Sequence, residues 1–164
     1  MSPSTENRLL PEPNEDSQPF WDALKSHRLD LQTCADCGAV RHYPRPVCPA
    51  CHSMAVTWTT ASGHGTVHSW TVSHQAFHPA FADSLPLVLA IVDLDEGVRM
   101  NCRLDGVAPD QIEIGLPVEV AFEDVGEDLT LPIFRPRRST CMQSRKSIAD
   151  RLPSMAVSMF SSIW

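Results

Sequence analysis

The stretch CADCGAVRHYPRPVCPAC, residues 34–51, contains two Cys-x-x-Cys motifs separated by ten residues. A two-residue spacer lets both thiolates of one motif face the same metal ion, and two such motifs supply the four ligands of a tetrahedral Zn²⁺ site. We therefore predict a zinc ribbon whose metal ligands are Cys34, Cys37, Cys48 and Cys51. Gly38 follows the first motif, and we expect it to adopt the positive φ of the tight turn there.

The predicted zinc ion is structural rather than catalytic. Four cysteine ligands complete the coordination shell, so no position remains for an activated water. Zinc binding in such modules supplies folding free energy of about 10–16 kcal/mol, which a short ribbon without its own core needs. The motif pair therefore predicts how the chain folds and says little about what it does.

Composition narrows the class of protein. The 164 residues predict one domain or two small ones, and a hydrophobic fraction of 43% is enough for a core. The amino terminus is polar and acidic, which does not resemble a signal peptide, and no apolar run is long enough to cross a bilayer. Together with free thiols and zinc, these features predict a cytoplasmic protein.

The net charge of −7 is distributed unevenly. Residues 1–134 carry seven Lys or Arg and nineteen Asp or Glu, whereas residues 135–164 carry six basic residues and one acid. Binding to nucleic acid depends on neutralising phosphates, so an acidic body counts against that function.

Changes in composition and in hydrophobic pattern divide the chain into four segments. Residues 1–18, with prolines among acids, Ser and Asn, predict a disordered leader. Residues 19–62 predict an amphipathic helix followed by the ribbon, and residues 63–136 predict an all-β domain. Residues 137–164 are basic and then Ser-rich, and we predict a disordered tail.

Two adjacent aromatic residues, Phe20 and Trp21, stand on the predicted helix. A short helix with two such side chains must bury them somewhere. They pack either on their own domain or in a partner, and the sequence leaves both interpretations open.

Five β-rich segments follow Gly63. Residues 87–94 form a near-continuous apolar run, as expected for a central strand, and a turn at 95–97 leads into the next strand to make a hairpin. Pro132 is expected to confine the last strand to an edge. Five short strands predict a small closed barrel of the OB-fold type, with an SH3-like barrel as the alternative.

No self-contained active site is visible in the sequence. Seven histidines lie between residues 27 and 78, among them His64, His68, His74 and His78, but no acid accompanies them in motif register. We interpret them as surface or hydrogen-bonded histidines. Cys102, within a predicted strand, fits a core position better than a nucleophile.

The order of several short motifs resembles a known family over about residues 19–136. Besides the aromatic helix and the ribbon, the motifs are Leu31-Gln32 before the first cysteine pair, Gly63-x-Gly65-Thr66-Val67, Glu96-Gly97, Gly115-x-Pro117-Val118 and Leu131-Pro132-x-Phe134-x-Pro136. Together they resemble the acyl-CoA-associated zinc-ribbon/OB-fold family, domain of unknown function 35. The resemblance implies a mainly β fold with an N-terminal helix, a rubredoxin-like zinc ribbon and a five-stranded OB-fold barrel.

The resemblance also implies a role that spacing alone does not. Members of that family are non-catalytic subunits that assemble with thiolase-fold acyltransferases, retro-aldolases or MaoC-type hydratases and help to bind or channel the CoA thioester. A hetero-oligomer, a heterotetramer or larger, is then expected. The phosphates of CoA require cations, for which the candidates are Arg41, Arg45, Arg99 and Arg103.

Two other functions compete with this interpretation. OB-folds and zinc ribbons also bind nucleic acid, which would require a basic groove and stacking aromatics. A stand-alone enzyme that uses the histidines is the third possibility.

Overall fold

The computed structural model describes residues 10–76, 78–126 and 129–137. Within them, one α-helix is followed by eight strands and two short 3-10 segments, Pro79–Ser84 and Pro109–Gln111. The elements are α1 (Gln18–Lys25), β1 (Asp30–Cys34), β2 (Val40–Arg41), β3 (Val56–Thr60), β4 (His64–Ser73), β5 (Leu87–Leu94), β6 (Arg99–Leu104), β7 (Pro117–Val125) and β8 (Leu129–Pro136). The first nine residues of the predicted leader, and the predicted tail after Arg137, lie outside the described residues.

The first three strands form a small antiparallel sheet in the order β2-β1-β3. In the central strand, Gln32 pairs with Arg41 on one side and with Trp58 on the other. Strand β1 ends at Cys34, so the sheet fixes the position of the first cysteine of the ribbon. Gly38 adopts φ 72° in the turn that follows, as its position after the first motif predicted.

The remaining five strands close into a barrel in the order β4-β5-β6-β8-β7, with β7 returning to pair with β4. All neighbours are antiparallel except β6 and β8, which pair in parallel at Leu104 and Phe134. At Gly65, where β4 lies against β5, an added Cβ would come within 2.5 Å of the carbonyl oxygen of Asp93. The predicted fold class, a helix and zinc ribbon followed by an OB-fold barrel, is confirmed.

The prediction that Pro132 confines the last strand to an edge is wrong, because β8 lies between β7 and β6. Pro132 pairs opposite Phe122 on the β7 side. On the other side, the parallel ladder to β6 begins only at Ile133, so no N–H is required of Pro132 there. The carbonyl oxygen of Pro132 accepts a hydrogen bond from Sγ of Cys102 in β6, at 3.4 Å.

Helix α1 buries its apolar face against both the ribbon and the barrel. Phe20 and Trp21 are 2% and 7% exposed, and Leu24 is fully buried. The same hydrophobic cluster includes Leu31 of the ribbon and Phe134 of the barrel. The two aromatic residues therefore pack within their own chain, and the three modules share one core.

Polar contacts hold α1 in place at both of its ends. Near its start, Nε1 of Trp21 donates to the hydroxyl of Tyr43 at 2.9 Å. After its end, Nε2 of His27 lies 3.0 Å from Oδ1 of Asp124, and the His27 ring stacks on Phe122 with centroids 5.2 Å apart. The helix is thus tied to the ribbon loop on one side and to β7 on the other.

We predict that Leu24→Ala lowers the free energy of unfolding by about 2–5 kcal/mol, because it leaves a cavity at the junction of helix and barrel. Urea denaturation of the zinc-loaded protein, followed by tryptophan fluorescence, measures this change. The matched control is Lys25→Ala, next along the same helix and exposed, which should change the free energy by less than about 0.5 kcal/mol. Equal midpoints for the two variants would contradict the shared core.

Candidate functional site

The four cysteines of the two motifs converge on one point. Their Sγ atoms all lie within 4.8 Å of one another, with Cys34 and Cys51 3.5 Å apart and Cys37 and Cys48 3.6 Å apart. Tetrahedral Zn–S bonds of ~2.3 Å place neighbouring sulfurs about 3.8 Å apart, so the cluster has the size that Zn²⁺ requires. All four cysteines are free of disulfide bonds.

Backbone amides of the knuckles stabilise the thiolate form of two ligands. The amide of Cys37 lowers the pKa of Cys34, and the amides of Cys51 and Ala50 lower the pKa of Cys48 to about 6. Turn hydrogen bonds build each knuckle, from the Gly38 amide to the Cys34 carbonyl at 2.9 Å and from the His52 amide to the Cys48 carbonyl at 2.9 Å. The knuckle geometry thus favours the thiolate, the form that binds metal, at Cys34 and Cys48.

A groove of about 510 Å³ lies between α1, the loop that joins the two cysteine motifs, and strands β5, β6 and β8. We call it the ribbon–barrel groove. Its walls are mainly apolar and include Trp21, Tyr43, Phe81, Leu87, Leu89 and Leu131. The 3-10 segment between β4 and β5 contributes Phe81, so four parts of the fold meet at this groove.

The charged groups that line the groove, Arg103 and Glu123, are paired with each other. Arg103 forms ion pairs with Asp105 at 2.9 Å and with Glu123 at 2.6 Å. Burial raises the pKa of Cys102 to about 12, the opposite of an activated thiolate. The groove therefore presents an apolar, nearly neutral surface to any occupant.

The four candidate arginines are dispersed, and only Arg103 lines the groove. Arg41 is 7% exposed, and its guanidinium donates to the side chain of Gln32 and to the carbonyl of Arg45. Arg99 is paired with Asp93, whose carboxylate lies 2.6 Å from its Nε. Among the described residues, the Arg45 side chain has no hydrogen bond or ion pair, and it is exposed.

The histidines do not gather into a site. His68 stands at a β-bulge between β4 and β5, and its Nδ1 lies 2.9 Å from Oδ2 of Asp93. Burial lowers the pKa of His42 to about 4, so this ring is neutral at physiological pH. In the part of the chain that the structure describes, the only group of three or more potential metal ligands is the cysteine cluster.

Neither the groove nor the exposure of the apolar run that borders it was predicted from the sequence. Leu89 and Ile91 are 41% and 37% exposed, although their run was interpreted as an ordinary central strand. In a barrel strand the outward positions are ordinarily polar. Large aliphatic residues at those positions were therefore the available signal.

Two family models match consecutive parts of the chain. The first, described as "ChsH2, rubredoxin-like zinc ribbon domain", covers residues 21–57. The second, described as "ChsH2, C-terminal OB-fold domain", covers residues 58–123. They correspond to the ribbon and to the barrel.

Several curated proteins are similar to this chain. It is 45% identical over 130 residues to a probable enoyl-CoA hydratase alpha subunit of Thermomonospora curvata, covering 78% of this chain and 40% of that protein. It is 39% identical over 116 residues to the 3-oxo-4,17-pregnadiene-20-carboxyl-CoA hydratase alpha subunit of Mycobacterium tuberculosis, covering 71% of this chain and 36% of that protein. The chain thus spans about two fifths of the length of these subunits. A DUF35 domain-containing scaffold protein of Methanothermobacter thermautotrophicus is 38% identical, over 62% of this chain and 77% of its own length.

Two solved structures share the fold. One, described as "Ltp2-ChsH2(DUF35) aldolase", contains a chain that is 44% identical, with a TM-score of 0.72, covering 77% of this chain and 98% of its own length. A DUF35 protein from Sulfolobus solfataricus is 15% identical with a TM-score of 0.53, covering 76% and 87%, and shows the fold alone. Among the described residues, no helix has the length and apolar character needed to span a membrane.

We predict that the purified protein carries about one zinc ion per chain and that Cys48→Ser loses most of it, because three thiolates bind the ion less tightly than four. Metal content by plasma mass spectrometry after gel filtration measures this. Cys102→Ser is the matched control, since it removes a thiol outside the cluster, and it should retain the metal. Full zinc content in Cys48→Ser would show that the cluster is not the metal site.

Proposed function

This chain belongs to the DUF35 family of zinc-ribbon and OB-fold proteins, and on that premise we propose that it is a non-catalytic subunit of an enzyme complex acting on acyl-CoA. The observation that carries the proposal is its 44% identity to a chain of the Ltp2-ChsH2(DUF35) aldolase, over 98% of that chain. That description pairs a DUF35 chain with a second component in an aldolase. The names of the other relatives, hydratase alpha subunit and scaffold protein, describe parts of assemblies as well.

The partner we propose is an aldolase-type enzyme of the thiolase fold, or a MaoC-type hydratase. Because the chain covers only about two fifths of the hydratase alpha subunits, their activity is not assigned to it. The chain would stabilise the partner and help to bind or channel the CoA thioester in a hetero-oligomer, a heterotetramer or larger. We expect the complex to operate in the cytoplasm, where thiolate ligands stay reduced.

Zinc has a structural part in this proposal. Cys34, Cys37, Cys48 and Cys51 would hold the ion, which supplies folding free energy when bound. The loop between the two motifs carries His42 and Tyr43, both of which line the ribbon–barrel groove. Fixing that loop at its two ends fixes one wall of the groove.

Contact with the phosphates of CoA falls chiefly to Arg45 in this proposal. Arg99 and Arg103 are engaged by carboxylates, so binding a phosphate there would first require breaking an ion pair. Arg41 supports the loop through its bond to the Arg45 carbonyl. An exposed guanidinium on a loop held in this way is suited to bidentate phosphate binding.

Binding of nucleic acid is the weaker alternative. Residues 10–76, 78–126 and 129–137 carry eight Lys or Arg against sixteen Asp or Glu. The face of an OB-fold that ordinarily binds nucleic acid is formed by its second and third strands, here β5 and β6. The arginines of β6 are paired with acids, which leaves little positive potential for a phosphate backbone.

We predict that the tagged protein, purified from its native cells, brings down one enzyme subunit of the aldolase or hydratase class in near-stoichiometric amount. Mass spectrometry identifies the subunit, and native mass spectrometry gives the composition of the hetero-oligomer. Recovery of nucleic acid or ribosomal proteins instead would favour the alternative. Turnover of an acyl-CoA by the purified chain alone would contradict a non-catalytic role.

We predict that Arg45→Ala weakens binding of the CoA ester by the assembled complex about tenfold, because a charge-assisted hydrogen bond to phosphate is lost. Isothermal titration with the CoA ester measures the affinity. Lys25→Ala, which removes an exposed cation from α1, is the control and should leave the affinity unchanged. An unchanged affinity in Arg45→Ala would remove Arg45 from the CoA site.

A further inference from the structure

We propose that the outward face of β5, together with the ribbon–barrel groove, is the surface on which the partner enzyme docks. We define the β5 face as Leu87, Leu89 and Ile91, and the partner inserts an apolar segment against it. The inference rests on the proposed function, since it assumes that a partner enzyme exists, and it adds where that partner binds.

The β5 face is apolar where a barrel strand is normally polar. Along β5, Val88, Ala90 and Val92 are buried in the barrel core, so the residues between them point outward. The outward residues Leu89 and Ile91 retain 41% and 37% exposure. Two large aliphatic side chains that stand two residues apart on a central strand form an exposed patch, not an isolated exposed residue.

The patch continues into the groove. Leu87 and Leu89 both line the ribbon–barrel groove, whose volume of about 510 Å³ is large enough for several side chains. Tyr43 on the opposite wall is 40% exposed, and its hydroxyl already accepts a hydrogen bond from Trp21. A contiguous exposed apolar patch of this kind marks a protein interaction site or a ligand-binding groove.

Charge decides which occupant fits. The ionic groups that border the face are paired, Asp93 with Arg99 at one end and Glu123 with Arg103, which also pairs with Asp105, at the other. The described residues as a whole carry twice as many acids as bases. A second copy of the chain would bring two acidic bodies together, and repulsion would oppose that contact. A partner enzyme that is not acidic and projects an apolar segment is not repelled in this way.

The position of the β5 face in the fold also favours a protein partner. Strands β5 and β6 are the second and third strands of this OB-fold, and the 3-10 segment that carries Phe81 lies in the loop between its first and second strands. These are the parts with which OB-folds hold their ligands. Here the same surface has aliphatic side chains and paired charges, which suits a protein segment better than a nucleic-acid backbone.

Site-specific photo-crosslinking in native cells tests the surface. A benzophenone amino acid is placed at Leu89 in the tagged full chain and, as the control, at Ile114, which is 75% exposed and outside the groove lining. We expect Leu89 to crosslink to the same acyl-CoA enzyme subunit that co-purifies with the unmodified chain, and Ile114 to give no such product. Crosslinks between two copies of the chain, or equal crosslinking from Ile114, would overturn the proposal.

An affinity measurement with that co-purified subunit completes the test. The double variant Leu89→Gln/Ile91→Thr keeps both positions outward and accessible, so the fold should be retained, and circular dichroism verifies this. We expect its dissociation constant for the subunit to rise at least about tenfold, while Ile114→Gln leaves it unchanged. If the subunit co-purifies but the double variant binds it equally well, the docking face is wrong and the proposed function stands. If no subunit co-purifies, both fail.

Discussion

The burial of one side chain, Phe20, holds the parts of this molecule in their relative positions. Its ring is 2% exposed and lies within 6 Å, centroid to centroid, of the rings of Trp21, His42 and Tyr43. The helix thereby fixes the ribbon loop, and Leu24 on its next turn belongs to the cluster that extends to the barrel. Without the packing of helix α1 against both modules, only the polypeptide chain would connect the ribbon to the barrel. The groove between them would then have no fixed width.

Local sequence rules predicted the parts of the structure that depend on near neighbours. The Cys-x-x-Cys spacing predicted the cysteine cluster because both thiolates of a knuckle come from one turn, and Gly38 was identified because that turn needs φ > 0. Alternation predicted the barrel strands because side chains on a strand repeat every two residues. The five-stranded barrel followed from the number and length of those strands.

What the sequence did not predict depends on residues far apart in the chain. Pro132 was placed at an edge because the sequence could not reveal that β6 pairs with β8 only from Ile133 onward. The four arginines were equal candidates until the fold brought Glu123 to Arg103 and buried Arg41. The apolar run of β5 was ambiguous, since a buried strand and a strand with a partner on its outer face have the same composition.

The distribution of charge and apolar surface fits the proposed role of an accessory subunit. A closed thiolate shell gives zinc no open position for substrate, and burial keeps the Cys102 thiol protonated. The half-buried His68 lies against Asp93, which Arg99 also engages, and Arg99 lowers the pKa of that carboxylate. The outward face of β5 and the groove beside it expose apolar side chains. Burial of apolar area is the main favourable term in protein association, so contact with a partner at this surface would be favourable.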